Sequence, residues 1–431
     1  MSADETIYAL SSGQPPAAIA IIRISGTRAP DCLRALTGSL PEERRAALKE
    51  IRDPDSGELL DMALVLRFTG PETATGEDLV EIHCHGGRAV VQALETTLGR
   101  QKGLRKAVPG EFTRRAFANG RIDLAEAEGL SDLLFAETEW QRRSAIQSAG
   151  GLLSRRVEEW QARLLQLSAA VEAELDFSDE DDVVPTHLDR ITDMTLALAQ
   201  DVRKLLDRPR SEKLRDGVRI VLGGPPNSGK STLLNALVDR QAAIVSDIAG
   251  TTRDVIEVPI AIEGIPFLFV DTAGIRDEGA EKIERIGVDL AKEQFALADL
   301  ILWLGAEGQG PDSENLIEIG ARADHPDHVP KSRDVLAISP VTGEGIDQLI
   351  AMLVDRAKHV IPHGSHISLN ERQARHLKIV EEHLLAASTQ SDFLIIAEEL
   401  RLARVDLDGL TGRTSTEHML DALFGKFCIG K

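Results

Sequence analysis

The chain is 431 residues long, 42% hydrophobic and 28% charged, ordinary values for a soluble globular protein with roughly two or three cores. A formal net charge of −21 argues against holding nucleic acid by phosphate attraction alone; it predicts weak unaided RNA binding, or RNA shared with a more basic partner. Aromatic residues are 3% of the chain, too few for a base-stacking platform, and no apolar run approaches the roughly 20 residues that cross a bilayer.

The three cysteines, Cys32, Cys84 and Cys428, are far apart and form no disulfide framework. With no basic-then-apolar leader at the start, a cytoplasmic protein without a membrane segment is expected.

Residues 1–118 alternate β-rich and helical runs. "AAIAIIRISG" (17–26), "MALVLRFTG" (62–70) and "DLVEIHCHGG" (78–87) read as strands, and "RAVVQALETTLGR" (88–100) as an amphipathic helix. An α+β domain is expected. Within "HCH" (83–85), a strand turns His83 and His85 to the face opposite Cys84, which favours core and domain-interface packing over a metal site.

Residues 119–212 change to long charged helices with apolar residues three and four apart, broken at Gly150–Gly151. The run "DFSDEDDVVP" (176–185) interrupts them and reads as a solvated acidic loop. Residues 213–358 are a nucleotide-binding α/β unit, and 359–431 return to helix. The simplest architecture is multidomain α/β and α, with a nucleotide domain inserted between two halves of a helical domain.

"GVRIVLGGPPNSGKSTLLNALV" (217–238) is a strand, a glycine-rich turn and a helix, in which Gly224, Gly229, Lys230 and Ser231 match G-x-x-x-x-G-K-[ST]. Backbone N–H groups of such a turn cradle phosphate oxygens at a helix N-terminus. Lys230 would reach the β- and γ-phosphates and Ser231 would ligate Mg²⁺. "FLFVDTAG" (267–274) ends a strand in D-x-x-G: Asp271 would hold Mg²⁺ through water, and the Gly274 amide would face the γ-phosphate. "DIAGTTRD" (247–254) is a switch-like segment whose Thr251 and Thr252 can sense the γ-phosphate and Mg²⁺. This order is that of a GTPase.

Guanine is commonly read by N-K-x-D. The nearest stretch is "LIEIGARAD" (316–324), where Ala321 and Arg322 replace Asn and Lys and Asp324 remains. Asp324 is either the base reader or the end of a surface loop. "AISPVTGEG" (337–345), with Ser339, Pro340 and Val341, resembles the loop that closes over guanine. Residues 306–334 are short for two helices and a strand, so this edge reads as trimmed, with GTP bound more weakly than usual.

"VSDIAGTTRD", "DTAGIR…IERIG", "RISG" (23–26), "GEDLVEIHCHGG" (76–87), "PGEFTRRAFANGRIDLAEAE" (109–128) and the terminal "GRTSTEHMLDALFGKFCIGK" (412–431) together resemble the MnmE or TrmE tRNA-modification GTPases over essentially the whole chain. The resemblance implies an N-terminal α+β folate-binding-type domain, a helical domain and an inserted Ras-like P-loop GTPase domain. It implies a homodimer formed through the N-terminal domains and activated by G-domain dimerisation. It also implies a flavoprotein partner, MnmG (GidA), and tRNA as substrate. The implied product carries an aminomethyl or carboxymethylaminomethyl group at carbon five of the wobble uridine. A tetrahydrofolate derivative, 5-formyl or 5,10-methylene, is implied as the source of the one-carbon unit.

Residue by residue, the resemblance implies nucleotide contacts from Asn227, Ser228, Gly229, Lys230, Ser231 and Thr232. It adds Ser246, Ile248, Thr251 and Thr252 in the switch, and Asp271, Thr272, Ala273 and Gly274 after the next strand. Asp324, Ser339, Pro340 and Val341 would surround the base. Ser231 and Thr252 would hold Mg²⁺. Asn227, Ser246, Ile248 and Thr251 would hold K⁺, a positive charge where other GTPases use an arginine finger. Ser246 stands where the family often has Thr. Glu284 would orient the attacking water. Arg23, Glu81 and Arg121 would bind folate; the last position is often Lys, and Arg keeps the charge but changes the shape.

Two rival classes remain open to the sequence: a ribosome-associated GTPase switch without base chemistry, and a folate enzyme with a regulatory G domain. The tail "FCIGK" fails as a lipid signal, since Gly430 is not aliphatic and no polybasic stretch precedes it. A free cysteine is commonly a buried bystander. The resemblance instead implies that the tail brings Cys428 and Lys431 to the folate site, with Cys428 as nucleophile or positioning group.

Overall fold

The computed structural model describes residues 5–176, 188–240, 256–271, 292–325, 330–362, 367–412 and 417–430. Contacts group the chain into two units, Met1–Ser131 with Asp408–Lys431, and Asp132–Leu407. Among the described residues, no helix is long and apolar enough to cross a membrane.

The first unit is organised by strand alternation. Its sheet runs β3 (Ala47–Arg52), β4 (Leu59–Phe68), β5 (Leu79–His85), β2 (Ile19–Ser25), β1 (Thr6–Leu10), β6 (Leu104–Lys106), antiparallel except for β1 with β6. The register sets Ala20, Ile22 and Ile24 beside Cys84, Ile82 and Val80 on one face. The helices α1 (Ala29–Thr37) and α2 (Arg88–Arg100) add Leu33, Leu36, Val91, Leu94 and Leu98 to that core. Period-two residues of the strands thus meet period-3.6 residues of the helices. The three strands and the helix expected here are present to within a few residues; β1, β3, β6 and α1 are additions.

The opposite sheet face is covered only in part. The helix α3 (Glu111–Ala118) lays Phe112 on Ile7, Ala9 and Ala107. Farther along, Ile19, Leu48, Met62 and Leu64 stay 38–64% exposed. His83 and His85 lie on this face, as alternation requires. His83 bonds Glu81 and His85 bonds Asp61, so neither packs in the core, whereas Cys84 does.

The first unit also contains the C-terminal tail. Phe424 and Phe427 bury against Leu420 and against Leu124 and Ala127 of α4 (Leu124–Leu134), with Phe117 and Phe424 ring centroids 6.1 Å apart. Two glycines permit this approach. A Cβ on Gly110 (φ 68°) would sit 2.1 Å from the Phe424 carbonyl oxygen, and one on Gly430 (φ 95°) 2.1 Å from that of Leu10.

In the second unit, α5 (Glu139–Ala149) opens on a Thr138–Gln141 capping box, and α6 (Leu152–Asp176) follows Gly151 at φ 73°. The helix α7 (Leu188–Leu206) packs on α6 and on the helix Glu371–Ser388, which is joined to the helix Phe393–Thr411 by His376–Asp406 and His383–Glu399 contacts. The break expected at Gly150–Gly151 is present; the acidic run lies largely outside the described residues.

The short helix α8 (Ser211–Asp216) leads into a second sheet. Its order is β12 (Leu336–Ala337), β11 (Leu316–Gly320), β10 (Leu300–Trp303), β7 (Val218–Gly223), β9 (Ile265–Asp271), β8 (Ile256–Ile262), parallel except for the β8–β9 hairpin. Helix α9 (Lys230–Arg240) and the helix Ile346–Val360 supply Leu233, Leu237, Ile346, Leu349 and Leu353 to its core. This is the P-loop GTPase strand order. Parallel neighbours usually need a helical crossover. Between β10 and β11, and between β11 and β12, the described residues form turns without a helix, so the trimmed edge read from residues 306–334 is physical.

One buried charge ties the first unit together. Glu111, 2% exposed, accepts from Arg105 at 2.5 and 2.8 Å, from the Val108 amide at 3.0 Å and from Arg115 at 3.3 Å. Burial opposes its charge, but Arg105, the Val108 amide and Arg115 together hold the carboxyl below its ordinary 4.5. The stabilisation is therefore present above about pH 4.5 and is lost as pH falls through the lowered value. Glu111→Gln is expected to cost roughly 3 kcal/mol near neutrality and to flatten the acid limb of a denaturant-measured stability curve. An equal loss at every pH would contradict this.

Candidate functional site

The phosphate loop starts from a buried strand. After β7 the backbone passes Gly224 at φ 144°, Asn227 at 61° and Gly229 at 99° before α9 begins at Lys230. Positive φ at these positions curls the chain into a concave turn of N–H groups at a helix N-terminus. A Cβ on Gly224 would lie 2.9 Å from Ser228 Oγ, so that turn closes only on glycine. Lys230 is 5% exposed and its Nζ donates to the Gly224 and Pro225 carbonyls, each at 2.9 Å.

Ser231 Oγ donates to Asp271 Oδ2 at 2.6 Å. Asp271, 1% exposed, ends β9, the neighbour of β7, so sheet pairing itself brings the two motifs together. A hydroxyl and a carboxylate beside an anion cradle are hard oxygen donors of the kind Mg²⁺ takes. Ser228 Oγ is buried without a hydrogen-bond partner among the described residues, a polar atom left over inside the same loop. Asn227 and Thr232 are exposed on the loop and the first turn of α9. Ser246, Ile248, Thr251, Thr252, Thr272, Ala273, Gly274, Glu284 and Lys431 lie outside the described residues.

The trimmed edge still meets the phosphate loop. Arg322 adopts φ 63°, donates from Nη1 to the Asn227 carbonyl at 3.4 Å, and lies 3.6 Å from where a Gly229 Cβ would be. Reading Arg322 as a departure from N-K-x-D missed this contact; a long cationic side chain two residues before Asp324 was the available signal. Asp324 is exposed, and the Ser339 side chain hydrogen-bonds its carboxyl and lowers its pKa. Ser339 is fully buried and caps the Thr342 amide at 3.1 Å; Val341 is 75% exposed beside it. Asp324 and the Ser339–Pro340–Val341 loop are thus neighbours.

On the open face of the first sheet, Arg23 and Glu81 are register partners across β2 and β5. Arg23 donates to Glu81 Oε1 from Nε at 3.1 Å and Nη2 at 2.7 Å, and its guanidinium stands 6.0 Å from the Phe112 ring centroid. His83 Nε2 lies 3.3 Å from Glu81 Oε2. Burial works against the Glu81 charge, yet Arg23 and His83 hold its pKa below the usual carboxylate value. An aromatic wall beside a forked cation and a carboxylate suits a flat heterocycle with an anionic tail. Arg121 is not part of this pair; it bonds Glu72, in the loop before β5, at 3.3 Å. Phe112 and His83 are additions to the sequence-derived set, Phe112 placed by packing of α3 on the sheet and His83 by its contact with Glu81 on the same strand face.

The tail ends beside this sheet. The Cys428 carbonyl accepts from the Gly110 amide at 3.5 Å, and Gly430 lies on Leu10, the β1 partner of Ile22. Ile429 rims a cavity of about 320 Å³ with Arg88, Gln92, Glu95 and Lys106. The cysteines differ sharply. Burial pushes the Cys32 thiol up to about 12 and that of Cys84 up to about 11, whereas Cys428 is exposed.

Comparison with known proteins covers both units. Residues 6–121 match the family described as the GTP-binding protein TrmE N-terminus, and residues 124–428 match the MnmE helical domain. A tRNA modification GTPase MnmE of Erythrobacter litoralis is 57% identical over 427 residues, covering 99% of this chain and 100% of the relative. Those of Novosphingobium aromaticivorans and Zymomonas mobilis are 54% and 49% identical, each covering 99% of this chain and 100% of the relative. A phosphate loop closed on Asp271 and a chain matched from end to end agree: this protein belongs to the MnmE family of tRNA modification GTPases.

Proposed function

We propose that this chain is the GTP-hydrolysing subunit of a cytoplasmic tRNA-modifying complex. With a flavoprotein partner of the MnmG (GidA) type, it adds an aminomethyl or carboxymethylaminomethyl group to carbon five of the wobble uridine. The observation that carries the reading is Ser231 bonded to the buried Asp271 beneath a lysine-closed phosphate loop, in a chain of this family.

In this reading Lys230 and the loop amides of Ser228, Gly229, Ser231 and Thr232 bind the nucleotide phosphates. Ser231 and Thr252 hold Mg²⁺, while Asn227, Ser246, Ile248 and Thr251 hold K⁺. The two cations supply positive charge to the β–γ bridge. Thr272, Ala273 and Gly274 follow Asp271 as the γ-phosphate segment, and Glu284 orients the attacking water. Asp324 accepts from the base, and Ser339, Pro340 and Val341 line it. The Arg322 contact with Asn227 ties the base edge to the phosphate loop.

Arg23 and Glu81 hold a tetrahydrofolate derivative, 5-formyl or 5,10-methylene, with Arg121 and Lys431 serving its anionic end. Pairing of two copies through the open sheet face would cover Ile19, Leu48, Met62 and Leu64, giving the homodimer. Cys428, exposed at the tail, acts at the folate site as nucleophile or positioning group.

The purified chain should hydrolyse GTP at least about tenfold faster in K⁺ than in Na⁺ at equal ionic strength, since one cation at the β–γ bridge replaces an arginine finger. Equal rates in the two salts would remove the K⁺ assignment. Asp324→Asn should shift preference from GTP toward xanthosine triphosphate, because the amide donates where the carboxylate accepts. Unchanged preference would mean that Asp324 does not read the base. Cys428→Ser should leave GTP hydrolysis intact and abolish the wobble modification in a complemented deletion strain, read by nucleoside analysis of total tRNA. Retained modification would return Cys428 to a bystander.

A further inference from the structure

The protein carries −21 overall, yet one concave surface of its helical bundle is cationic. Helices α6 and α7 border a cavity of about 330 Å³ lined by Arg155, Arg156 and Glu159 from α6, Asp201 and Lys204 from α7, Arg208 just after it, and the apolar Leu152, Leu205 and Ile367. Four cations face two carboxylates. Arg163 stands next to it, bonded to Asp201 at 2.6 Å.

The carboxylates organise the cations. Asp201 touches Arg163, Lys204 at 3.3 Å and Arg156 at 3.8 Å, and Glu159 bonds Arg156 at 2.7 Å. The Arg163 hydrogen bond, helped against partial burial by Lys204, lowers the pKa of Asp201. Arg156 is further held against the Trp160 ring, 5.5 Å from its centroid. Two cations remain over. Among the described residues, Arg155 donates to the Gly150 carbonyl at 2.8 Å and has no ion pair, and the exposed Arg208 has no ion pair either. A groove with preset and surplus guanidinium groups matches phosphodiester oxygens, which take bidentate arginine.

We propose that this α6–α7 groove binds the sugar–phosphate backbone of the tRNA substrate. The proposal rests on the tRNA-modifying reading above. Backbone contact is favoured over base contact because no lining residue of the groove is aromatic and Trp160, against Arg156, is fully buried. In a field set by −21, a local cationic groove gives the RNA a defined place to approach. It also makes binding depend on very few contacts, so losing two should matter.

The test is fluorescence anisotropy of labelled total tRNA against the full chain over a salt series. Arg155→Ala with Arg208→Ala should weaken binding at least about tenfold and lower the slope of log affinity against log salt by about 2. Basal GTP hydrolysis should not change, which establishes that the variant folds. Arg208→Glu should weaken binding by itself. Arg375→Ala with Arg401→Ala, an equal change of charge elsewhere on the helical surface, should have little effect. An unchanged affinity and slope in the Arg155/Arg208 variant overturns the groove while leaving the tRNA reading standing. The same loss in the control variant also overturns it, because the effect is then general charge. Loss of flavoprotein capture with tRNA binding intact would assign the groove to a protein instead. No tRNA binding by the parent chain, either alone or with its flavoprotein partner, overturns the groove and the tRNA reading together.

Discussion

The carboxylate of Glu111 is the interaction on which the first unit turns. It is a charge taken out of water at the start of a short helix, and it is tolerated because both oxygens are filled by guanidinium and amide donors. From it, Arg105 fastens β6 and Arg115 reaches Glu77, which bonds Ser25 beside the buried Thr75. The next residue, Phe112, then closes part of the sheet face and flanks Arg23. The preceding residue, Gly110, leaves room for the Phe424 carbonyl and so seats the tail. Three consecutive residues thus set the sheet, the Arg23–Glu81 pair and the approach of Cys428.

In the second unit, the corresponding constraint is the pairing of parallel strands. β7 and β9 are neighbours, so the loop after one and the carboxylate at the end of the other meet without any dedicated contact. β11 is only two strands from β7, which brings Arg322 over the phosphate loop. Among the described residues this edge has no crossover helix, yet Arg322 spans to the Asn227 carbonyl. That contact explains how a shortened edge still reaches the phosphate loop.

Local patterns were legible where the physics is local. Alternation in "IAIIRIS" and "LVEIHCH" gave the two central strands, and Gly224 to Ser231 named the phosphate loop before any fold was known. The strand Ala47–Arg52 escaped notice because Lys49, Glu50 and Arg52 are polar and Leu48 is exposed, so its pattern alone resembles a surface segment. The helix Glu111–Ala118 was hidden for a different reason: eight residues are too few to show a period.

The sequence alone determined the family and the phosphate-loop motif, because these depend on short motifs and on residue types at fixed spacing. Tertiary structure decided which groups share a site. Strand register joined Arg23 to Glu81 and His83 but left Arg121 on the neighbouring loop with Glu72. Folding carried the C-terminal residues to Gly110 and Leu10, some three hundred and four hundred positions earlier in the chain. It also converted Arg322 from an apparent loss into a bridge. Such pairings depend on long-range packing and close backbone approach, neither of which leaves a mark in local composition.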